Sequence, residues 1–174
     1  MVAVGGSIDA PRVLDRRRLV IADPDLPGSK QPYHAAAGRP FGAAEALIRT
    51  AIESSQGLAC EAISVAVNLL RSRGHEVTAC AVLLGSGRPL PDLDRILASH
   101  ALIHTAEGEM FRNVLVWGAR QCSLPVGTIR EKDLDPAALL RIKDLGKLIG
   151  PPWTQDQKNA TAAALSVLAG STHA

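Results

Sequence analysis

Aromatic residues are scarce in this chain, which has two tryptophans, one tyrosine and two phenylalanines among its 174 residues. A hydrophobic core must therefore be built mainly from alanine, leucine, valine and isoleucine, which requires many small contacts and close approach of the backbones. The hydrophobic fraction of 47% and the charged fraction of 21% exclude a disordered chain and are typical of a globular protein. The length suits a single domain.

Cysteine is also sparse, and its three positions, Cys60, Cys80 and Cys122, are far apart. Because no Cys-x-x-Cys pair is present, the pattern excludes a small disulfide-stapled fold and predicts reduced thiols. The sequence also lacks an apolar run of about 18 residues and an N-terminal basic segment followed by an apolar one. We therefore expect a cytoplasmic protein that has no membrane partner.

An excess of charge of one sign is missing as well, since the formal net charge is only +2 at pH 7. The short basic run at residues 16–18 follows Asp15 and is more typical of a solvated turn or sheet edge than of a phosphate-binding patch. The composition does not exclude a nucleic-acid partner, but the charge does not indicate one.

Hydrophobic periodicity divides the chain into alternating strands and helices. The predicted strands span residues 2–5, 18–22, 76–84, 101–104 and 125–130. The predicted helices span residues 43–73, 92–98, 105–122, 136–150 and 155–168. A loop is expected from residue 23 to about residue 40, because prolines interrupt the chain after the second strand.

The alternation predicts an α/β fold in which helices flank a single mixed, partly parallel β-sheet. The order of elements is similar to that of the ribonuclease H-like fold, and a Rossmann-like layered architecture shares these features. Residues 1–150 are predicted to form this α/β domain. Residues 151–174 are predicted to add a C-terminal helix that packs on the same domain or on a partner subunit.

The stretch at residues 99–112 contains two histidines, two glutamates and an arginine beside apolar residues, which indicates a lined site rather than a solvated face. We favour a short strand at 101–104 and then a helix capped by Thr105, because Gly108 is otherwise unexplained inside a helix. The alternative is one continuous helix that reaches residue 121. Under both interpretations His100 and His104 point to the same side.

Four segments bring polar groups to the predicted carboxyl ends of strands, where ligands of open α/β sheets bind. From these segments we predict a site for a divalent metal ion, with Mg, Mn or Zn as the cofactor. The predicted metal ligands are Asp23, His104, Glu107 and Glu131. The competing interpretation is structural, with each histidine hydrogen-bonded to a backbone carbonyl inside the fold.

The same region supplies candidates for catalysis and for substrate binding. His34, His104 and Glu107 are the candidate catalytic residues, with His34 as the general acid or base. The segment 85–88 resembles a turn that binds an anion, but it is too short for a dinucleotide-binding or P-loop fingerprint. The predicted substrate-binding residues are Lys30, Tyr33, Ser86, Arg88 and Arg112.

These residues support three hypotheses of different classes. The first is a divalent-metal-assisted hydrolase that acts on a phosphate-containing substrate, either a nucleotide or a nucleic acid. The second is a non-catalytic domain that binds a small anionic metabolite or a nucleotide. The third is a structural or oligomer-forming protein, such as a homodimer, in which the polar cluster holds the protein's own loops together.

Overall fold

The computed structural model describes residues 1–7, 9–85 and 89–171. Within these ranges the protein is a mixed α/β structure, as predicted, with small sheets flanked by helices. The strands are β1 (Val2–Gly6), β2 (Pro11–Arg16), β3 (Cys80–Leu84) and β4 (Val126–Arg130). The helices are α1 (Pro32–Ala36), α2 (Phe41–Ser72), α3 (Leu93–Leu97), α4 (His100–Gln121), α5 (Pro136–Arg141), α6 (Leu145–Ile149) and α7 (Gln155–Ser171).

The N-terminal strands form an antiparallel hairpin in which Val2 lies opposite Arg16. Its turn is closed by Ser7, whose backbone carbonyl and hydroxyl oxygens both accept from the backbone N–H of Ala10. The predicted strand at 18–22 is wrong, because the second strand is the preceding segment and Val20 is 60% exposed. The more polar segment forms the strand because it can pair with β1 across a short turn.

The prediction of a single sheet is also wrong for the described residues, which contain two separate two-stranded sheets. In the second sheet β3 pairs with β4 in parallel, with Cys80 opposite Val126 and Leu84 opposite Arg130. Strand β1 pairs with β2 and does not extend this parallel sheet. A ribonuclease H-like or Rossmann-like layer needs a larger sheet than either of these.

The long helix predicted at 43–73 is confirmed as α2, and Gly74 ends it with a φ of +80°. Helix α2 packs against α4 at Gly118, where a Cβ atom would lie 3.1 Å from Cβ of Ala59 and from the backbone nitrogen of Cys60. The missing side chain therefore allows the two backbones to approach closely. None of the helices in the described ranges combines the length and apolar composition needed to cross a bilayer.

The favoured strand at 101–104 is wrong, because α4 already begins at His100. Ser99 caps the helix by accepting from the backbone N–H of Leu102 at 3.5 Å. Thr105, the predicted cap, instead donates its hydroxyl to the carbonyl of Ala101 at 2.9 Å, inside the helix. The helix also runs through Gly108 without interruption, so this glycine does not mark the start of a helix.

Two predicted helix starts in the C-terminal region are confirmed by their capping bonds. Asp135 accepts from the backbone N–H of Ala137 at 2.9 Å. Thr154 and Gln157 form the predicted capping box, with reciprocal bonds of 3.0 and 3.4 Å. The predicted helix at 136–150 is wrong in extent, since a 3₁₀ turn at Ile142–Asp144 separates α5 from α6 and places the fully buried Ile142 in the core.

One arginine joins the N-terminal hairpin to the segment before α7. The guanidinium of Arg16 donates to a row of backbone carbonyls, those of Ile149, Gly150, Pro151 and Pro152. Helix α7 in turn packs against both β1 and β3. The two sheets are therefore held on the same C-terminal segments.

Candidate metal centre

Three imidazole rings, those of His34, His100 and His104, meet where α1 lies against the start of α4. One ring nitrogen of each lies within 4.8 Å of those of the other two, and the Nε2 atoms of His100 and His104 are 3.0 Å apart. The ring centroids are 4.5–5.2 Å apart with edge-on geometry. Among the side chains in the described ranges, no other group of three or more metal-ligating residues is this close.

The helical conformation of α4 explains two of the three rings. His100 and His104 are four residues apart, so they occupy the same helix face one turn from each other. Both residues are exposed, which leaves one side of the cluster open to solvent. His104 is one of the metal ligands predicted from the sequence, whereas His100 is not; the helical spacing of the two histidines was the signal for His100.

The third ring comes from a helix that the sequence analysis described as part of a loop. Helix α1 is five residues long, and Pro32 occupies its first turn, where a missing N–H costs nothing. Pro32 and Ala36 are buried, which docks the helix on α2 and α4 and directs His34 at the other two rings. The proline after Gln31 was the only sequence signal for this short element.

A buried carboxylate holds His34 in place. Glu107 is 7% exposed, and one of its oxygens accepts from the backbone N–H of His34 at 3.1 Å. Both of its oxygens also lie 3.0 Å from Nδ1 of His34. Because a carboxylate only accepts hydrogen bonds, Nδ1 is the donor of this bond, and in the neutral ring the lone pair is then on Nε2. Glu107 thus orients a histidine rather than joining the three ring nitrogens.

Tyr33 lies beside the same carboxylate. Burial of its side chain and the nearby negative charge of Glu107 both raise the pKa of Tyr33 above its ordinary value, with burial the larger cause. The phenol packs against Ile96 and Ile103 of the neighbouring helices. The phenol of Tyr33 is therefore uncharged at physiological pH.

A cavity of about 500 Å³ adjoins the cluster on the side of the chain that precedes α1. His34 forms part of its lining, together with the predicted substrate-binding residue Lys30. Pro24, Leu26 and Pro27 supply apolar walls. This depression is open to solvent over much of its extent.

The other two predicted metal ligands have different partners. Asp23 accepts from the backbone N–H of Asp25 at 2.9 Å and from the hydroxyl of Ser54 at 3.4 Å. Glu131 accepts from the side-chain amide of Asn159 at 2.5 Å. Each carboxylate stabilises a turn or a helix contact, and neither belongs to the group of three imidazoles.

Of the predicted anion-binding residues, Ser86 and Arg88 lie outside the described residues. Arg112 is one helical turn beyond Gly108 on α4, and its Nη1 atom is 3.6 Å from the carboxylate of Glu109. A Cβ atom at Gly108 would lie 2.9 Å from that Nη1 atom. The glycine inside α4 therefore provides the space that the guanidinium occupies.

The cysteines do not contribute to the centre. All three are free thiols, as predicted. Burial raises the pKa of Cys80 and, with the added effect of Cys60, that of Cys122. Cys80 and Cys122 are therefore poor nucleophiles at neutral pH.

Comparison of the chain with protein families, with curated proteins and with solved structures gives no match.

Proposed function

We propose that the protein binds a divalent transition-metal ion through His34, His100 and His104 and uses it to hydrolyse a phosphate-containing substrate. The observation that carries this proposal is the convergence of three imidazoles, one of them bonded to a buried carboxylate. A histidine ligand whose second nitrogen donates to a carboxylate is the usual arrangement in metal sites, because it fixes the ring and raises its basicity.

The donor set favours zinc among the three ions that the sequence suggested. Imidazole suits zinc, whereas magnesium prefers oxygen ligands. Tetrahedral zinc with bonds of about 2.0–2.1 Å needs ring nitrogens roughly 3.3 Å apart. The observed 3.0 Å between the Nε2 atoms of His100 and His104 is near this spacing, and a ring nitrogen of His34 lies within 4.8 Å of both rings' ligand atoms.

Three protein ligands leave a fourth position for water, which is typical of catalytic rather than structural zinc. Because His100 and His104 are exposed, an ion held by the three rings would be accessible to water. A bound zinc ion lowers the pKa of its water to about 7 and neutralises charge that develops at phosphorus. Lys30, in the adjoining cavity, would attract the negative substrate.

Metal uptake is the first test. The purified protein is stripped with a chelator, reloaded with Zn²⁺, Mn²⁺ or Mg²⁺, and measured by elemental analysis and by calorimetry. We expect about one zinc ion per chain and little magnesium. His34→Ala, His100→Ala and His104→Ala should each abolish stoichiometric uptake, and Glu107→Gln should weaken zinc binding about 10–100-fold.

His75→Ala is the matched control, because His75 lies outside the cluster. Equal zinc affinity in His75→Ala and His104→Ala would overturn the metal centre. Turnover of p-nitrophenyl phosphate and of its bis ester then tests the reaction. Zinc-dependent hydrolysis that His104→Ala removes supports the hydrolase, whereas zinc binding without any turnover would overturn it in favour of a binding domain.

A further inference from the structure

Helix α4 presents its functional side chains as a stripe with a spacing of four residues. His100 and His104 belong to the imidazole cluster, Gly108 follows one turn later, and Arg112 one turn after that. Because long side chains on a helix lean towards its N-terminus, Arg112 extends back along the stripe in the direction of His104. The absence of a side chain at Gly108 leaves that path clear.

The guanidinium of Arg112 lies between two glycines. Its Nη1 atom is 2.9 Å from the position that a Cβ would take at Gly108 and 2.8 Å from the corresponding position at Gly85, which directly follows β3. Any larger residue at Gly85 or at Gly108 would displace the guanidinium of Arg112 from this place. Two separate backbone segments, at Gly85 and at Gly108, thus make room for one positive charge about two helical turns beyond His104 on α4.

Arg112 forms one ion pair with the described residues, and this pair is long. Within residues 1–7, 9–85 and 89–171, the contact recorded for the Arg112 guanidinium is the ion pair with Glu109, which at 3.6 Å is longer than a hydrogen bond. The side chain is 36% exposed. A planar guanidinium whose N–H groups donate no hydrogen bond to the described residues is suited to bidentate binding of a carboxylate or a phosphate.

We propose that Arg112 binds a second anionic group of the substrate while the first lies at the metal ion. This inference rests on the proposed function and defines the substrate class more closely, as a small molecule with a phosphate at one end and another anion at the other. A rise of 1.5 Å per residue places the level of Gly108 about 6 Å along the axis from His104. The two anions should therefore be separated by a spacer of several bonds.

Paired inhibitors of graded length test this inference on the zinc-loaded protein. One series consists of n-alkylphosphonates, and the other of phosphonates of the same length that end in a carboxylate. Calorimetry gives the dissociation constant for each pair. We expect the terminal carboxylate to strengthen binding about tenfold or more at one optimal length, and Arg112→Ala to abolish that gain while leaving the n-alkylphosphonate and the zinc content unchanged.

Arg120→Ala is the matched control, since Arg120 is an exposed arginine in the last turn of the same helix. Arg112→Lys should restore only part of the gain, because an ammonium group cannot form the bidentate contact. A wild-type protein that takes up zinc but shows no carboxylate-dependent gain would overturn this inference alone. Equal gains in Arg112→Ala and Arg120→Ala would also overturn it, whereas failure to bind zinc would overturn the metal centre and this inference with it.

Discussion

A single carboxylate, Glu107, controls the surroundings of two consecutive residues of α1. It accepts from the backbone and the ring of His34, and its charge acts on the phenol of Tyr33. The three groups share a mostly buried region, where electrostatic interactions are stronger than in water. Removing the charge of Glu107 should therefore change both the hydrogen bonding of His34 and the pKa of Tyr33.

Tyr33 provides a direct measurement of this effect, because it is the only tyrosine in the chain. In the folded protein the phenol should ionise above its ordinary pKa of 10.0, and in denaturant near that value. Glu107→Gln should lower the folded pKa towards 10.0 without reaching it, since burial is the larger cause of the shift. The ultraviolet absorbance of tyrosinate, followed against pH, measures both curves.

The same shift predicts how stability depends on pH. The folded state holds the Tyr33 proton more tightly than the unfolded state. The contribution of Tyr33 to the free energy of unfolding is therefore fully present below about pH 10 and is lost as pH rises through the folded pKa.

Glu109→Gln is the control for the titration of Tyr33 in Glu107→Gln, because Glu109 pairs with Arg112 instead. Indistinguishable titration curves for Glu107→Gln and Glu109→Gln would contradict the assigned cause.

The sequence identifies most residues of the site but not their pairing. The ionisable groups of 99–112 and the loop containing Lys30, Tyr33 and His34 stand out by composition alone. The bond between His34 and Glu107 joins residues 73 positions apart, and nothing local indicates it. Without that bond, Glu107 resembles a metal ligand, because it lies one helical turn from His104.

At the scale of elements, α4 contains two glycines with different packing. Gly118 lies against the backbone of α2, which cannot move without shifting a 32-residue helix. Gly108 faces only the end of a flexible arginine side chain. The same substitution at the two positions should therefore have opposite effects on stability.

Alanine raises intrinsic helix stability by up to about 1 kcal/mol over glycine at either position. We expect Gly108→Ala to show a gain of this order, because Arg112 can move away. Gly118→Ala should instead lower the free energy of unfolding, since overpacking costs about 1–3 kcal/mol. Urea unfolding of the two variants measures the difference, and equal stabilities would show that α2 and α4 do not pack as closely as described.

Local chemistry also explains which elements were predictable. Asp135 and Thr154 fix helix starts through bonds to residues two or three positions away, so the sequence alone specifies them. The four residues 101–104 form too short an apolar run for periodicity to distinguish a strand from a buried helix. Ser99 caps the helix that forms, and Thr105 is also an acceptable cap by residue type, although serine is preferred.

At the scale of the whole molecule, the order of strands was not predictable. Strand β1 pairs with its neighbour β2 and lies outside the parallel sheet. The apolar pattern of a strand does not indicate with which other strand it pairs. Arg16 connects this hairpin to carbonyls about 134 residues later in the chain. A basic run in the sequence thus includes one residue with an internal structural role.

Arg16→Ala should lower the free energy of unfolding by about 1.5–3 kcal/mol, because it removes charge-assisted bonds to several carbonyls. Arg17→Ala is a matched control, since Arg17 forms an ion pair only two residues away, with Asp15. Such a partly exposed pair contributes no more than about 1 kcal/mol. Chemical denaturation compares the two, and equal losses would show that the long-range contact adds no stability.

The placement of His34 on a five-residue helix has a consequence for folding of the first half of the chain. A helix of that length is unstable by itself and exists only where it docks. An ion shared by His34 and the start of α4 would act as a cross-link that closes a large loop, much as a disulfide does. Zinc availability would then set how firmly residues 17–40, between β2 and α2, are anchored, and metal-depleted protein should become sensitive to proteases in that segment first.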